Sequence, residues 1–157
     1  LHLSIRRQRQ MCIRDSLRKW GVQNLRILDE EIEKITPENI HQKLAGLDRP
    51  LIVGITVLTS QAGRAYEIAR MIREAEPDCT IILGNVHVTT LPDEPLEMGI
   101  ADFVVRGEGE ETLRELYFAI REGKDWKNIK GITYKDKNGE IISNPDNDLI
   151  ENLDDVP

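Results

Sequence analysis

Along the chain, the hydrophobic positions follow either the pattern of a strand or the period of a helix. The most apolar run, Leu51–Leu58, is rich in β-branched residues and has no polar alternation, which predicts a strand covered on both faces, as in a parallel sheet. Apolar residues then recur at spacings of three and four until Pro77, namely Ala65, Ile68, Ala69, Ile72 and Ala75. The pattern therefore predicts a buried strand followed directly by an amphipathic helix.

The segments before this run predict one more strand between two helices. Leu17–Gly21 is typical of the last turn of a helix, because a glycine there can adopt the left-handed conformation that ends a helix. Asn24–Asp29 predicts a short strand. Pro37 then predicts the start of a second helix, with Thr36 as its cap.

The segments after it continue the alternation. Thr80–Leu83 and Asp102–Val105 predict two further strands, and an apolar stripe ending at Gly123 predicts a helix after the second of them. Gly131–Tyr134 and Glu140–Ser143 flank an Asn-Gly pair, which predicts a β-hairpin. Strands that alternate with helices indicate a doubly wound α/β sheet, here with a C-terminal hairpin.

Charge and composition divide the chain into three parts. Residues 1–16 contain four arginines and one acidic residue and follow neither period, so we expect a non-native or disordered leader that adds nothing to stability. This stretch also lacks the continuous apolar core of a signal peptide. Residues 17–126 form the predicted α/β domain, and residues 127–157 form the hairpin and a polar linker.

Composition excludes several classes of function. The 157 residues include 28 acidic and 21 basic ones, a formal net charge of −7, which argues against nucleic-acid binding. No apolar run approaches the roughly 20 residues that a membrane helix needs. The two cysteines, Cys12 and Cys79, form no CxxC, so an iron–sulfur cluster or thiolate zinc site within the chain is not expected. A reducing, cytoplasmic setting follows as the default.

The candidate chemistry lies in three loops that follow predicted strands. These loops are Thr56–Gly63, Gly84–Pro92 and Arg106–Glu111. In open parallel sheets, ligands bind beyond the carboxyl ends of the strands. We therefore expect the three loops to meet at one edge of the sheet and to form the binding site there.

Each loop taken alone also has a structural explanation. Thr59 and Ser60 are residues that commonly cap helices. His87 is either a hydrogen-bonded structural histidine or a ligand contact, and the sequence leaves both open. The loop after the third strand of this series lacks the last glycine of GxGxxG, because Thr112 stands there. Its glutamates would repel a phosphate, so a nucleotide-binding Rossmann domain is disfavoured.

The order of the three loops resembles a known family. VGITVLT, LGNVHVTTLPDE and ADFVVRGEGEETLREL are similar to the VGIS-x-x-T, GGxHxT-x-x-PxE and D-x-VVxGEGE-x-T-x-x-EL of the cobalamin-binding domain of cobalamin-dependent radical SAM proteins. Gly131–Tyr134 and Leu153–Pro157 match that family's later "GI-x-Y" and "LD-x-x-P". The resemblance covers residues 17–157. The chain departs from it at Asn85, where the family has a second glycine.

The resemblance implies a flavodoxin-like fold and a bound corrinoid, cobalamin, whose nucleotide tail enters the edge of the sheet. Small residues and neutral hydrogen-bonding groups suit such a slot. The implied cofactor-binding residues are Gly54, Thr56, Leu58, Thr59, Ser60, Gly84, Asn85, His87, Gly107, Glu108, Gly109 and Glu110. No residue is assigned as a metal ligand, and the lower ligand of cobalt stays unassigned. The family's first strand and its loop do not match any part of this chain.

The resemblance also implies a partner domain and a parent enzyme. That enzyme is a methyltransferase or cyclase acting on a small molecule, with S-adenosylmethionine and a [4Fe-4S] cluster in a radical SAM barrel that would begin, with CxxxCxxC, after Pro157. Residues 1–157 hold no such cysteine triad and no nucleophile–base pair, so no catalytic residue is assigned and no activity of their own is expected. The alternative is a docking module of the same fold that holds no cofactor.

Overall fold

A five-stranded sheet organises the computed structural model, which describes residues 17–147. Its strands, in the spatial order of their numbers, are β1 (Ile52–Thr56), β2 (Thr80–Gly84), β3 (Phe103–Val105), β4 (Ile132–Lys135) and β5 (Ile141–Ser143). The strands β1, β2 and β3 are parallel, whereas β4 and β5 are antiparallel to their neighbours. The predicted leader 1–16 and the motif Leu153–Pro157 lie outside the described residues.

Within the described residues, five helices precede or connect the strands, after a short helical stretch at residues 17–19. They are α1 (Ile40–Leu44), α2 (Ala62–Ala75), α3 (Val86–Thr90), α4 (Asp93–Glu97) and α5 (Glu110–Glu122), and a 3₁₀ turn over Thr59–Gln61 precedes α2. Gly21 and Gly123 end helical segments with φ of +89° and +65°, as predicted. Among residues 17–147, no helix is both long enough and apolar enough to cross a membrane.

Helices cover both faces of the sheet, which confirms the predicted doubly wound α/β architecture. On one face α1, α2 and α4 pack against Ile81, Leu83 and Val104, all of which are fully buried. On the other face α5 buries Leu116 against the sheet. The residues that it packs against include Ile82, Phe103, Val105, Ile132 and Tyr134. Alternate residues of β1, β2 and β3 therefore serve two separate cores.

The predicted hairpin is confirmed and extends the sheet. The strand β4 pairs with β3 over Phe103–Val105, and β5 pairs with β4. Asp136 shapes the turn, because its Oδ1 accepts hydrogen bonds from the backbone N–H groups of Asn138 and Glu140. Gly139 supplies the positive φ, +86°, that the turn requires.

The strand predicted over Asn24–Asp29 is wrong. A strand needs a partner for its backbone groups, and this segment pairs with no strand of the described chain. It lies instead against the end of α1, where Asn24 donates to the carbonyl of Gly46 at 2.9 Å and Arg26 donates to the carbonyl of Ala45 at 3.3 Å. Side-chain bonds to the last carbonyls of a helix thus replace the predicted ladder.

Two further predictions need correction. The helix α1 begins at Ile40 rather than Pro37, because Pro37–Asn39 forms a turn and Asn39, not Thr36, is the N-terminal cap. The run Leu51–Leu58 gives a strand of five residues that is not covered on both faces, since Gly54 and Thr56 are exposed. The exposed positions lie on the face that α5 covers farther along the sheet.

The Glu30 carboxylate makes stability depend on pH in acid. Burial alone would raise its pKa, but bonds from Arg64, the Ile35 N–H and Lys34 outweigh burial and lower the pKa to about 2. A depressed pKa contributes stability above the unfolded value of roughly 4.3, and that contribution is lost as the pH falls toward 2. We expect Glu30→Gln to lower the Tm at pH 7 and to flatten the Tm between pH 4.5 and 2. If thermal melts show the Tm of the variant falling between pH 4.5 and 2 as steeply as that of the parent, this assignment is contradicted.

Candidate functional site at the carboxyl edge of the sheet

The three loops meet at the carboxyl ends of β1, β2 and β3, as predicted. Thr56 and Gly84 are partners in the sheet register, and Gly84 pairs in turn with Val105. The N–H of Val57 donates to the carbonyl of Gly84 at 2.8 Å, and the N–H of His87 donates to the carbonyl of Val57 at 3.3 Å. The loops after β1 and β2 are therefore joined by backbone hydrogen bonds.

Small residues leave an open trough on the sheet face that α5 covers elsewhere. We define the trough by Gly54, Thr56 and Gly84, which share this face with Ile52 and Ile82. A Cβ placed on Gly54 would meet nothing within 4 Å, and one on Gly84 would meet only the Val105 carbonyl oxygen, at 3.7 Å. A flat or extended group can therefore approach the sheet backbone here.

The loop after β1 presents hydroxyl groups at the end of the trough. Thr59 and Ser60 are exposed, whereas Leu58 is half-buried. The caps of the 3₁₀ turn and of α2 are Leu58 and Gln61, so the interpretation of Thr59 and Ser60 as helix caps is wrong. Because neither hydroxyl acts as a cap, both are available to a ligand.

The loop after β2 begins with a strained residue. Asn85 has φ of +88° and ψ of 179°, a conformation that is essentially restricted to glycine. Its Oδ1 accepts a hydrogen bond from the N–H of Val86 at 2.6 Å, which caps α3. Asn85 stands where the family has a glycine, and its backbone keeps a conformation that favours glycine.

Substitutions at Asn85 should separate strain from capping. Asn85→Gly relieves the strain but loses the cap, whereas Asn85→Ala loses the cap and keeps the strain. We expect the alanine variant to be less stable than the glycine variant by about 1–2 kcal/mol. Urea unfolding of both variants measures the difference, and equal stabilities would show that the positive φ carries no cost.

The His87 side chain is held by protein contacts. Its Nε2 lies 3.3 Å from Oε2 of Glu94, and the Tyr66 hydroxyl donates to the same oxygen at 2.8 Å. The imidazole is only 12% exposed, and its ring centroid lies 6.0 Å from that of Tyr66. Burial, and then the bond to Glu94, raise the pKa of Tyr66 well above its usual range. These contacts match the structural interpretation of His87, and a cofactor contact by it stays a prediction.

The loop after β3 is shaped by two glycines. Gly107 has φ of +66°. A Cβ on Gly109 would lie 2.8 Å from Cγ1 of Val105, so only glycine fits there without displacement. Glu110 begins α5, where a carboxylate is favoured by the helix dipole, and Glu108 is exposed. The two glycines thus bring the loop close to β3 beside the trough.

Arg106 anchors this loop to the hairpin, a role that sequence reasoning missed. Its guanidinium, whose side chain is 11% exposed, donates to the carbonyl of Ile132 at 3.0 Å and to Asp146 at 2.8 Å. It also donates to Thr133 Oγ1 and to the carbonyl of Asn144. An arginine directly after a strand was the only sequence signal, and its partners lie 26 to 40 residues away.

The chain is similar to a known domain family and to curated proteins. A model of the B12 binding domain matches residues 11–117. The chain is 36% identical over 135 residues to an uncharacterized methyltransferase of Pyrococcus horikoshii, covering 85% of the chain and 29% of that protein. It is 29% identical over 142 residues to the anaerobic magnesium-protoporphyrin IX monomethyl ester cyclase of Rubrivivax gelatinosus, covering 88% of the chain and 25% of that protein.

Solved structures show the same fold. The radical S-adenosylmethionine methyltransferase TsrM from Kitasatospora setae matches with a TM-score of 0.73 at 25% identity, over 85% of this chain and 26% of its own. The cobalamin-dependent S-adenosylmethionine radical enzyme OxsB with aqua-cobalamin bound matches with a TM-score of 0.72 at 26% identity, over 88% of this chain and 19% of its own.

The family model spans more than half of the chain, so the chain belongs to the B12-binding domain family. Within that family it is a cobalamin-binding domain of the kind found in cobalamin-dependent radical SAM enzymes. The chain spans about a quarter of the length of the curated relatives it matches. Among the described residues, no group of three or more His, Cys, Asp or Glu side chains is arranged to bind a metal ion directly.

Proposed function

We propose that the trough of Gly54, Thr56 and Gly84 receives the nucleotide tail of cobalamin, with the corrin ring above the carboxyl edge of the sheet. The observation that carries this proposal is the open space over the two glycines, where an added Cβ meets at most one atom, at 3.7 Å. Backbone groups are thereby exposed where larger side chains would cover them. The residues present fit an elongated, hydrogen-bonding ligand.

Neutral donors surround this space and would hold the tail. The hydroxyls of Thr56, Thr59 and Ser60 line the β1 side, and all three residues are exposed. Leu58 adds an apolar contact there. On the other side Asn85 and His87 would border the tail, and the loop of Gly107, Glu108, Gly109 and Glu110 would close the slot.

The chemistry of the reaction belongs to the cofactor and to a second domain. When bound, cobalamin supplies a cobalt centre that can carry a methyl group or exchange single electrons. The residues of this chain orient the cofactor and shield its tail from water. The His87 imidazole is engaged with Glu94, so we assign no described side chain to the cobalt.

We further propose that the parent protein is a cytoplasmic radical SAM methyltransferase or cyclase with a small-molecule substrate. Its barrel, in cis, would bind S-adenosylmethionine and a [4Fe-4S] cluster. The matched relatives support this, because they include a methyltransferase, a cyclase and radical S-adenosylmethionine enzymes, all much longer than the chain. Sequencing beyond Pro157 should reveal CxxxCxxC within a few dozen residues, and an unrelated continuation would exclude this parent.

Retention of added cobalamin tests the binding role. The chain is incubated with hydroxocobalamin, desalted, and examined by visible absorption, with NAD and FAD as control ligands. We expect a retained corrinoid spectrum and no retained nucleotide. Thr56→Ala should weaken binding about three- to tenfold, because it removes one hydrogen bond worth roughly 0.5–1.5 kcal/mol. Loss of the corrinoid on desalting would favour the docking-module alternative.

A further inference from the structure

The Thr89 hydroxyl connects the loop after β2 to the loop after β3. Its Oγ1 donates to the carbonyl of Asn85 at 3.0 Å and accepts from the N–H of Gly107 at 3.1 Å. One side chain thus contacts the strained residue that opens α3 and the glycine that turns the chain away from β3. Thr89 is the threonine of the HxT motif, to which sequence analysis assigned no contact.

The connection lies where the two loops would border the same ligand. The base of the β3 loop is fixed independently, since the Arg106 N–H donates to the carbonyl of Gly131 at 2.8 Å and its guanidinium binds the hairpin. Gly107 is the first loop residue beyond that anchor and is exposed. Its bond to Thr89 therefore sets the distance between the two sides of the slot.

We infer that Thr89 is a positioning residue for the corrinoid: its hydroxyl fixes the β3 loop against the β2 loop and so sets the width of the tail slot. This inference rests on the proposed function. Thr89 need not touch the ligand, because it acts through Asn85 and Gly107. The pre-set spacing lowers the ordering cost that binding would otherwise carry.

The neighbouring threonine provides a matched control. Thr90 Oγ1 donates to the Val86 carbonyl at 3.0 Å within α3 and, within residues 17–147, makes no hydrogen bond to another loop. Thr89→Val and Thr90→Val each remove one hydroxyl from the same short helix with the same change in shape. Thr89→Ser retains the hydroxyl and is the rescue variant.

Two readouts are compared in the 157-residue chain: the hydrogen-exchange rate of the Gly107 amide without ligand, and the Kd for hydroxocobalamin. We expect Thr89→Val to speed Gly107 exchange about five- to tenfold and to raise the Kd about three- to tenfold. Thr89→Ser and Thr90→Val should leave both readouts within twofold, and all three variants should melt within a few degrees of the parent.

The outcomes separate this inference from the function on which it rests. Unchanged Gly107 exchange in Thr89→Val would overturn the inference, and so would faster exchange with an unchanged Kd or an equal effect of Thr90→Val. If the unaltered chain fails to retain hydroxocobalamin, the proposed function fails and the positioning role falls with it. The Gly107 exchange rate would then still report whether Thr89 joins the two loops.

Discussion

Gly84→Val is expected to abolish cobalamin binding while the chain still folds. Gly84 ends β2 at the centre of the trough, between Thr56 and Val105 in the sheet register. An added Cβ finds ordinary contact, with the nearest atom at 3.7 Å, so the valine itself is accommodated. Its methyl groups would then occupy the space proposed for the nucleotide tail. Valine also suits a strand, so we expect the Tm to change by no more than a few degrees.

The control is Thr80→Val. Thr80 is half-buried and lies at the opposite end of the same strand from Gly84, away from the carboxyl edge. Thr80→Val should leave cobalamin affinity unchanged. Circular dichroism and thermal melting verify folding, and equilibrium dialysis measures the Kd. A folded Gly84→Val chain that retains cobalamin at the parent's affinity would show that the trough is not the site.

Arg106→Met should destabilise the chain by about 2–4 kcal/mol, which corresponds to a Tm loss of roughly 5–15 °C. The methionine matches much of the apolar stem but leaves the carbonyl of Asn144 without its donor and the carbonyl of Ile132 with only the Asn144 N–H. Buried acceptors that lose a charged donor carry most of this cost. The expected loss is larger than that of an ordinary surface substitution.

Asp146→Asn is the matched control for Arg106. The Asp146 side chain is 82% exposed, so its ion pair with Arg106 is screened by water and should contribute less than 1 kcal/mol. Urea unfolding of both variants separates the buried carbonyl bonds from the exposed ion pair. Equal losses in the two variants would mean that the ion pair, rather than the carbonyl bonds, anchors the loop.

Local patterns predicted the elements whose stability is local. The helix α2 follows from the spacing of Ala65, Ile68 and Ile72, and Gly123 ends α5 with the positive φ that its position predicts. The hairpin turn depends on Asp136 and Gly139, which are three residues apart. In each case the residues that decide the structure lie close together along the chain.

Elements that depend on distant partners were harder to predict. Asn24–Asp29 has the composition of a strand, but its pairing depends on a neighbour that sequence composition does not report. Leu51–Leu58 resembles a fully buried strand, yet its exposure depends on which residues cover its far end. The anchoring role of Arg106 depends on the same kind of long-range contact, because its acceptors lie on the hairpin.

The candidate site also has features that the sequence predicts and others that depend on distant contacts. Topology predicted that the three loops converge, because parallel strands place their carboxyl ends at one edge. The sequence left two interpretations of His87, and the choice between them depends on Glu94 and Tyr66, which come from other helices. The family motif HxT distinguishes Thr89 from Thr90, but only the structure shows that the Thr89 hydroxyl reaches Gly107.

Mapping hydroxocobalamin on the isotope-labelled chain by NMR tests the central claim most directly. We expect chemical-shift changes at the amides of Thr56, Gly84 and Gly107, which lie at the carboxyl edge. The amides of Ile52 and Thr80, at the opposite ends of the same strands, should not move. Shifts confined to that opposite end, or no shifts at saturating hydroxocobalamin, would contradict a corrinoid site at the carboxyl edge of the sheet.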